Sequence, residues 1–323
     1  MNAVKTPRAD EIAHHLADAA VWAPSVYDTR PWRLDTRGSA VTLHADPERR
    51  LEVADPEGRE TMISCGAALY TLRLAMRDLG RIPRVRMLPD PDRPDLIAEV
   101  DVGGERPATA EERQMYAQIR HRHTHTGGFR PGGLPIGLLQ ALRTHAYCEQ
   151  VSLRIVADPR ARIALAALTE AAEQVQRRNP AYVAEVARWA PPPGGAPEET
   201  SPRESARLEV DFAGCDFARG QGWGGTAGEN RDATGVVAVL LTDGDTHGDR
   251  LCAGQALQRI LLCAAEYDVS AAFHGQALEL PELREFIRTR FCDHAYPQMI
   301  LRLGIAHTNV VRRSVTELTR GEL

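Results

Sequence analysis

Two patterns of apolar residues alternate along the chain. In one they recur every three to four positions; in the other they recur every second position or run together. The first buries one face of a helix and the second one or both faces of a strand. The clearest helix carries Met62, Cys65, Leu69, Leu72, Met76 and Leu79 on one stripe and is stopped by Gly80. Before it, Ile12, Leu16 and Ala19 mark a shorter helix that Asp10 can cap and Pro24 ends, and "SAVTLHADP" reads as a strand. After it, "RVRML" and "LIAEVDV" read as strands joined by the turn "PDPDRPD".

A similar order restarts near residue 111. Met115 and Ile119 mark one helix; Leu138, Leu139 and Leu142 mark another after Pro135. "VSLRIVADP" alternates as a half-buried strand, and one long helix is expected from Pro159 to Trp189. "GVVAVLLT" is a buried strand, followed by a helix with Leu257, Ile260, Leu261 and Ala264 inward, capped by Asp243 or Asp245. "SAAFHG" is a short strand, "LPELREFIRTRF" a helix with Pro281 in its first turn, and "PQMILRLGIA" a closing strand. Periodicity fails through "APPPGGAPEETSPRE" and the glycine-rich residues that follow, so 190–232 is expected to be a lid-like insertion with Phe212, Phe217 and Trp223 as docking groups. The expected architecture is α+β: halves 1–110 and 111–323, each a mixed, largely antiparallel sheet flanked by helices.

Composition narrows the class. Of 323 residues 43% are hydrophobic and 26% charged, an ordinary globular balance with enough apolar surface for a sizeable core. A net charge of −5 argues against nucleic acid as a partner. The first residues hold no apolar run of a secretory signal, and "GVVAVLL" and "ILLCAA" are too short to cross a bilayer. Cys65, Cys148, Cys215, Cys252, Cys263 and Cys292 are dispersed without a CxxC, as in a cytoplasmic protein with free thiols.

Four stretches carry candidate chemistry. "RHRHTHTGGFR" sets His121, His123 and His125 at alternate positions, which on a strand share one face. A metal would want such imidazoles, but Arg120, Arg122, Thr124 and Thr126 between them suit phosphate oxygens better; a solvated polar stretch is the plain alternative. "WAPSVYDTRPW" offers Ser25, Asp28 and Arg30 to a ligand, or is a structural corner pinned by Trp22 and Trp32. "HGQALELPE" places His274, Gly275 and Gln276 after a buried strand, where ligands or a plain turn are equally at home. Arg312 and Arg313 follow the last strand, either solvated or in a site. No GxSxG or P-loop occurs, and the spacing of Asp55 and Glu57 does not support a paired-carboxylate mechanism.

Together these pieces resemble the nitroreductase superfamily of flavin enzymes, and most closely its fused, Acg-like branch. "RHTHTGGF" is similar to the family's phosphate-holding segment, and "PSVYDTRPW" to the PSxxNxQPW loop that a partner subunit supplies. "FHGQALE" is similar to the segment along the flavin's N5 edge, and "PQMILRLG" with Arg312 and Arg313 to the closing strand and its basic contacts. The resemblance implies FMN as cofactor, NAD(P)H as reductant and a nitroreductase-like fold. It implies contacts from Pro24, Ser25, Asp28, Arg30, Trp32, Arg122, His123, Thr124, Thr126, Gly275, Gln276, Arg312 and Arg313, with no metal and no catalytic side chain. The PS…PW loop occurs once, in the first half, and the Arg/Thr segment once, in the second. One chain is therefore expected to imitate a dimer around one flavin, as a monomer or as a homodimer of whole chains. Asp28 and Arg30 depart from the family's Asn and Gln, with Arg30 placed to neutralise Asp28. The expected activity is reduction of small acceptors such as nitroaromatics or quinones. A flavin-sequestering protein and a homologue without flavin are the alternatives.

Overall fold

The computed structural model describes residues 9–37, 40–125, 129–130, 132–189 and 235–306. The first half runs α1 (Ala9–Ala20), β1 (Trp32–Arg37), β2 (Ala40–Ala45), α2 (Arg59–Asp78), β3 (Arg81–Met87) and β4 (Leu96–Glu105). The second runs α3 (Ala110–Gln118), α4 (Leu138–Cys148), β5 (Ser152–Ile155), α5 (Pro159–Arg177), α6 (Pro180–Trp189), β6 (Val236–Thr242), α7 (His247–Ala265), β7 (Val269–Phe273), α8 (Gln276–Glu279), α9 (Pro281–Phe291) and β8 (Tyr296–Ile305). The strands form two sheets, ordered β1-β2-β4-β3 and β5-β6-β8-β7. The two orders are the same permutation, and every ladder between these strands is antiparallel. The fold is α+β; where a mixed sheet was expected, the parallel element is an isolated bridge, Thr124 to Ala271.

α2 is buried on nearly all sides because it serves two cores. Met62, Cys65, Leu69, Leu72 and Met76 face α1 and the first sheet, while Ile63, Tyr70 and Leu74 join α3, α4, α7 and the second sheet. The expected stripe is thus one of two faces. α2 crosses α7 where both helices carry glycine. A Cβ on Gly66 would lie 2.2 Å from the Leu251 carbonyl oxygen, and one on Gly254 would lie 1.9 Å from that of Ile63. Gly66 and Gly254 are each the eighth residue of their helix.

Three sequence expectations change. The helix expected from Pro159 to Trp189 breaks in two, because Pro180 has no N–H for the ladder and Asn179 Oδ1 caps a new start by accepting from the Ala181 and Tyr182 amides. α7 is capped by Thr246 in a capping box with Asp249, which leaves Asp245 free to bind Arg250, Arg284 and Gln298. Asp10 lies inside α1, not at its cap. Among the described cysteines Cys65, Cys263 and Cys292 are buried, and none forms a disulfide. Among the described residues no helix is long and apolar enough to cross a membrane.

Candidate functional site

The loop between α1 and β1 is tightly wound. Tyr27, Asp28 and Arg30 all take left-handed backbone angles, φ 48°, 55° and 47°. Each such residue costs on the order of 1–3 kcal/mol, so the loop must be over-determined by its surroundings. The hydroxyl of Ser64 on α2 accepts from the Val26 amide at 3.1 Å and donates to the Glu60 carbonyl at 2.7 Å. Ser25 Oγ accepts from the Arg30 amide at 3.0 Å, Thr29 Oγ1 donates to the Val26 carbonyl, and Arg49 donates to the Thr29 carbonyl. Pro24 and Trp32 are buried, Trp32 in the first core. Asp28 is exposed and pairs with Arg30, Nε to Oδ1 3.6 Å.

The histidine-rich stretch spreads its side chains. His121 is exposed and its Nδ1 donates to the Ala117 carbonyl, the His123 Nδ1 donates to the His121 carbonyl, and His125 is buried with its ring 4.8 Å from that of Phe129. Among the described residues no three His, Cys, Asp or Glu side chains converge as a metal site. Arg122 turns inward, 6% exposed, and donates to Thr124 Oγ1 at 3.4 Å and to the Trp22 carbonyl at 3.3 Å. The stretch is held in place by β7: Thr124 bridges Ala271, and the His125 amide donates to the Ala271 carbonyl. Arg122 thereby reaches across the two halves to the entry of the Pro24–Trp32 loop.

β7 leads directly into His274, Gly275 and Gln276. His274 is buried and neutral: burial and the Arg302 guanidinium both push its pKa well below the usual value. Arg302 Nε donates to His274 Nε2 at 2.8 Å. Gln276 is buried, and its carbonyl accepts from Gln176 on α5 at 3.4 Å. The space beside Gly275 is bounded by two carboxyl oxygens; a Cβ there would lie 3.5 Å from Glu60 Oε1 and 3.9 Å from Glu279 Oε1. Burial raises the Glu60 carboxyl against the lowering effect of Arg59, and burial together with Glu60 pushes Glu279 up to about 8. Tyr27 of the loop and Tyr182 of α6 both reach Glu279.

The structure therefore links three of the four candidate stretches: the loop to the Gly275 segment through Tyr27 and Glu279, and the Arg122–Thr124 segment to both, through Trp22 and Ala271. Thr126, Arg312, Arg313 and the insertion 190–232 lie outside the described residues. The donor set around Arg122 suits a phosphate, because a buried guanidinium and a hydroxyl converge there.

No protein-family profile matches the chain. An uncharacterized protein of Mycobacterium tuberculosis is 30% identical over 291 residues, covering 88% of this chain and 84% of that protein. Two putative NAD(P)H nitroreductases of the same organism are similar at 29% over 300 residues and, for the one named acg, 27% over 288 residues, each aligned over 84% or more of its own length. Over most of its length the chain is thus similar to Acg-like NAD(P)H nitroreductases. Two solved structures, nitroreductases with FMN from Desulfitobacterium hafniense and Desulfovibrio desulfuricans, are also similar, at 14% and 13% identity and TM-scores of 0.40 and 0.36. They cover 62% and 63% of this chain, and the matches span 93% and 94% of theirs.

In this chain the polar partners Glu60, Tyr182, Glu279 and Arg302 were not reached from sequence. Arg302 carries a readable signal, a single charge inside the otherwise apolar "MILRLGI". Glu60 and Tyr182 carry none: Glu60 is buried beside its neighbour Arg59, and the half-buried Tyr182 meets Tyr27 from 155 positions away.

Proposed function

We propose that the chain is an FMN-dependent oxidoreductase that reduces nitroaromatic, quinone or similar small acceptors with NAD(P)H, and that its two halves together build one cofactor site. The observation that carries this reading is the reach of Arg122, in the second half, to the Trp22 carbonyl at the mouth of the first-half loop. FMN, when bound, supplies the hydride-transfer chemistry; the protein binds and orients. Arg122 and Thr124 would hold the phosphate, with Thr126, Arg312 and Arg313 as further contacts. Ser25, Asp28, Arg30 and the Gly275–Gln276 segment would border the ring. The order shared by the two sheets and the reciprocal glycines at the α2–α7 crossing support a chain that imitates a two-fold dimer.

The test is an anaerobic absorbance spectrum of the purified chain before and after NAD(P)H. A yellow protein carrying one flavin per chain and bleached by NAD(P)H is expected. Two flavins per chain would overturn the single site, and a flavin that NAD(P)H does not bleach would make the protein a store. Arg122→Ala should weaken FMN by roughly 10- to 150-fold, the equivalent of about 1.5–3 kcal/mol for a charge-assisted contact. Unchanged affinity, measured by fluorescence titration, would remove Arg122 from the cradle.

A further inference from the structure

Glu279 sits in a ring of oxygens that an ionised carboxylate cannot close. Tyr27 Oη lies 3.0 Å from Glu279 Oε1, Tyr182 Oη lies 3.0 Å from Oε2, and the two phenol oxygens are 2.5 Å apart. These three oxygen–oxygen contacts, the shortest of the cluster, need three protons; the longer approach of Tyr27 Oη to Oε2, 3.3 Å, shares the Tyr27 proton. The phenols bring two, and a carboxylate only accepts. With Glu279 ionised, one contact of the three would face lone pair to lone pair without a proton. A carboxylic acid supplies the third: Oε2–H donates to Tyr182, Tyr182 to Tyr27, and Tyr27 to Oε1. Gln176 Nε2 donates to Oε2 at 2.8 Å.

The ring joins elements that are remote in sequence. Tyr27 is in the Pro24–Trp32 loop, Tyr182 on α6, Gln176 on α5 and Glu279 on α8 beside Gly275. Nearby, the same α6 sends Glu185 to accept from the Glu52, Val53 and Ala54 amides at 2.7–3.2 Å, and packs Val186 against Leu51 and Ala54. We propose that Glu279 is a proton-binding latch: while protonated it closes the Tyr27–Tyr182 ring and clamps α6 and the first-half loop to the Gly275 segment, and loss of the proton opens the clamp. The groups facing it are Tyr27 from the loop, Tyr182 from α6, and Glu60 and Arg59 from α2, with Glu173 of α5 acting on Tyr182. Burial and the Glu60 charge favour the neutral acid, while Arg59 and the two phenol hydrogen bonds oppose it; the balance leaves the pKa near 8. Both phenols are pushed above their usual range, by burial first and then by the Glu279 charge, so the carboxyl titrates before either. The latch does not depend on the cofactor.

The test is hydrogen–deuterium exchange of the full chain without added cofactor, corrected for the pH dependence of chemical exchange. Protection of α6 amides in the wild type should fall by roughly tenfold or more between about pH 6 and pH 9, as an opening that releases a titrating group requires. Glu279→Gln, a neutral isostere that accepts from Tyr27 and donates to Tyr182 once Gln176 turns its amide, should keep that protection across the range. An equal loss in Glu279→Gln overturns the latch. Infrared spectra at pH 7 provide the second measurement, which serves even if that variant does not fold. A protonated-carboxyl C=O band displaced by Tyr182→Phe is expected, and the absence of any such Tyr182-sensitive band overturns the proposal.

Discussion

The two halves place different connections after their first helix. Beyond α1 the chain makes a compact corner in which Tyr27, Asp28 and Arg30 hold left-handed angles, nailed to α2 by Ser64. Beyond α3 it runs out through Arg122 to Thr124 and His125, docked along the free edge of β7. The sheets beneath have the same strand order, and the helices α2 and α7 cross at matching glycines. A repeated scaffold thus carries two unlike connections, and the chemistry follows the connections. One delivers strained backbone and a phenol; the other delivers a buried guanidinium and a hydroxyl. The single cofactor site we propose draws on both connections.

The likeness of the scaffolds can be broken most severely at the helix crossing. Gly66→Ala and Gly254→Ala each drive a Cβ into a backbone carbonyl that cannot swing away, and each should cost roughly 3 kcal/mol or more, read from the urea midpoint. Gly248→Ala on the same α7 meets nothing closer than Thr246 Oγ1 at 3.6 Å and should stay within about 0.5 kcal/mol of wild type. Equal stability of all three would show that the crossing is looser than described.

A smaller effect separates two carboxyls of the second half by the sign of their pH dependence. Burial alone would raise Asp245, but hydrogen bonds from Arg284, Arg250 and Gln298 outweigh it and hold its pKa well below the usual range. Its stabilisation is present above the ordinary carboxylate pKa of 3.8 and is lost as pH falls below it. Glu279 has the opposite sign. Its pKa is raised, so its stabilisation is complete below the ordinary 4.5 and drains away as pH rises toward about 8. Asp245→Asn should cost about 2 kcal/mol at neutral pH and flatten the acid limb of a stability–pH profile. Glu279→Gln should flatten the alkaline limb instead. Identical profiles would mean that neither carboxyl governs its limb. The smallest effect belongs to the corner: Asp28 is largely exposed and 3.6 Å from Arg30, so Asp28→Asn should shift stability by less than about 1 kcal/mol, measured by thermal melting.

Much of this architecture was readable from periodicity, because burial of one helical face or one strand face is a local decision. Met62 to Leu79 fixed the position of α2, and "PQMILRLGIA" that of β8. The break at Pro180 was equally local and is written in the sequence as Asn-Pro, outvoted by the apolar spacing on either side. β1, "WRLDTR", was not expected, since it alternates weakly and owes its pairing to β2. For the site, Arg122 and Thr124 were legible by residue type. Their placement beside the first-half loop was not, because Arg122 and Trp22 are separated by 100 residues. The Tyr27–Tyr182 contact spans 155 positions, and neither tyrosine announces a partner in its own neighbourhood.

The Arg302–His274 contact has a consequence for proton placement on the imidazole ring. A guanidinium can only donate, so the Nε2 that receives it has no hydrogen of its own, and a neutral ring must then carry its hydrogen on Nδ1. The residue next to Gly275 is therefore locked as a single tautomer whose remaining polar edge is a donor of fixed direction. In nitrogen magnetic resonance it should give one pyridine-type and one pyrrole-type signal that do not exchange roles, and neither should move with pH for as long as Arg302 stays folded against it.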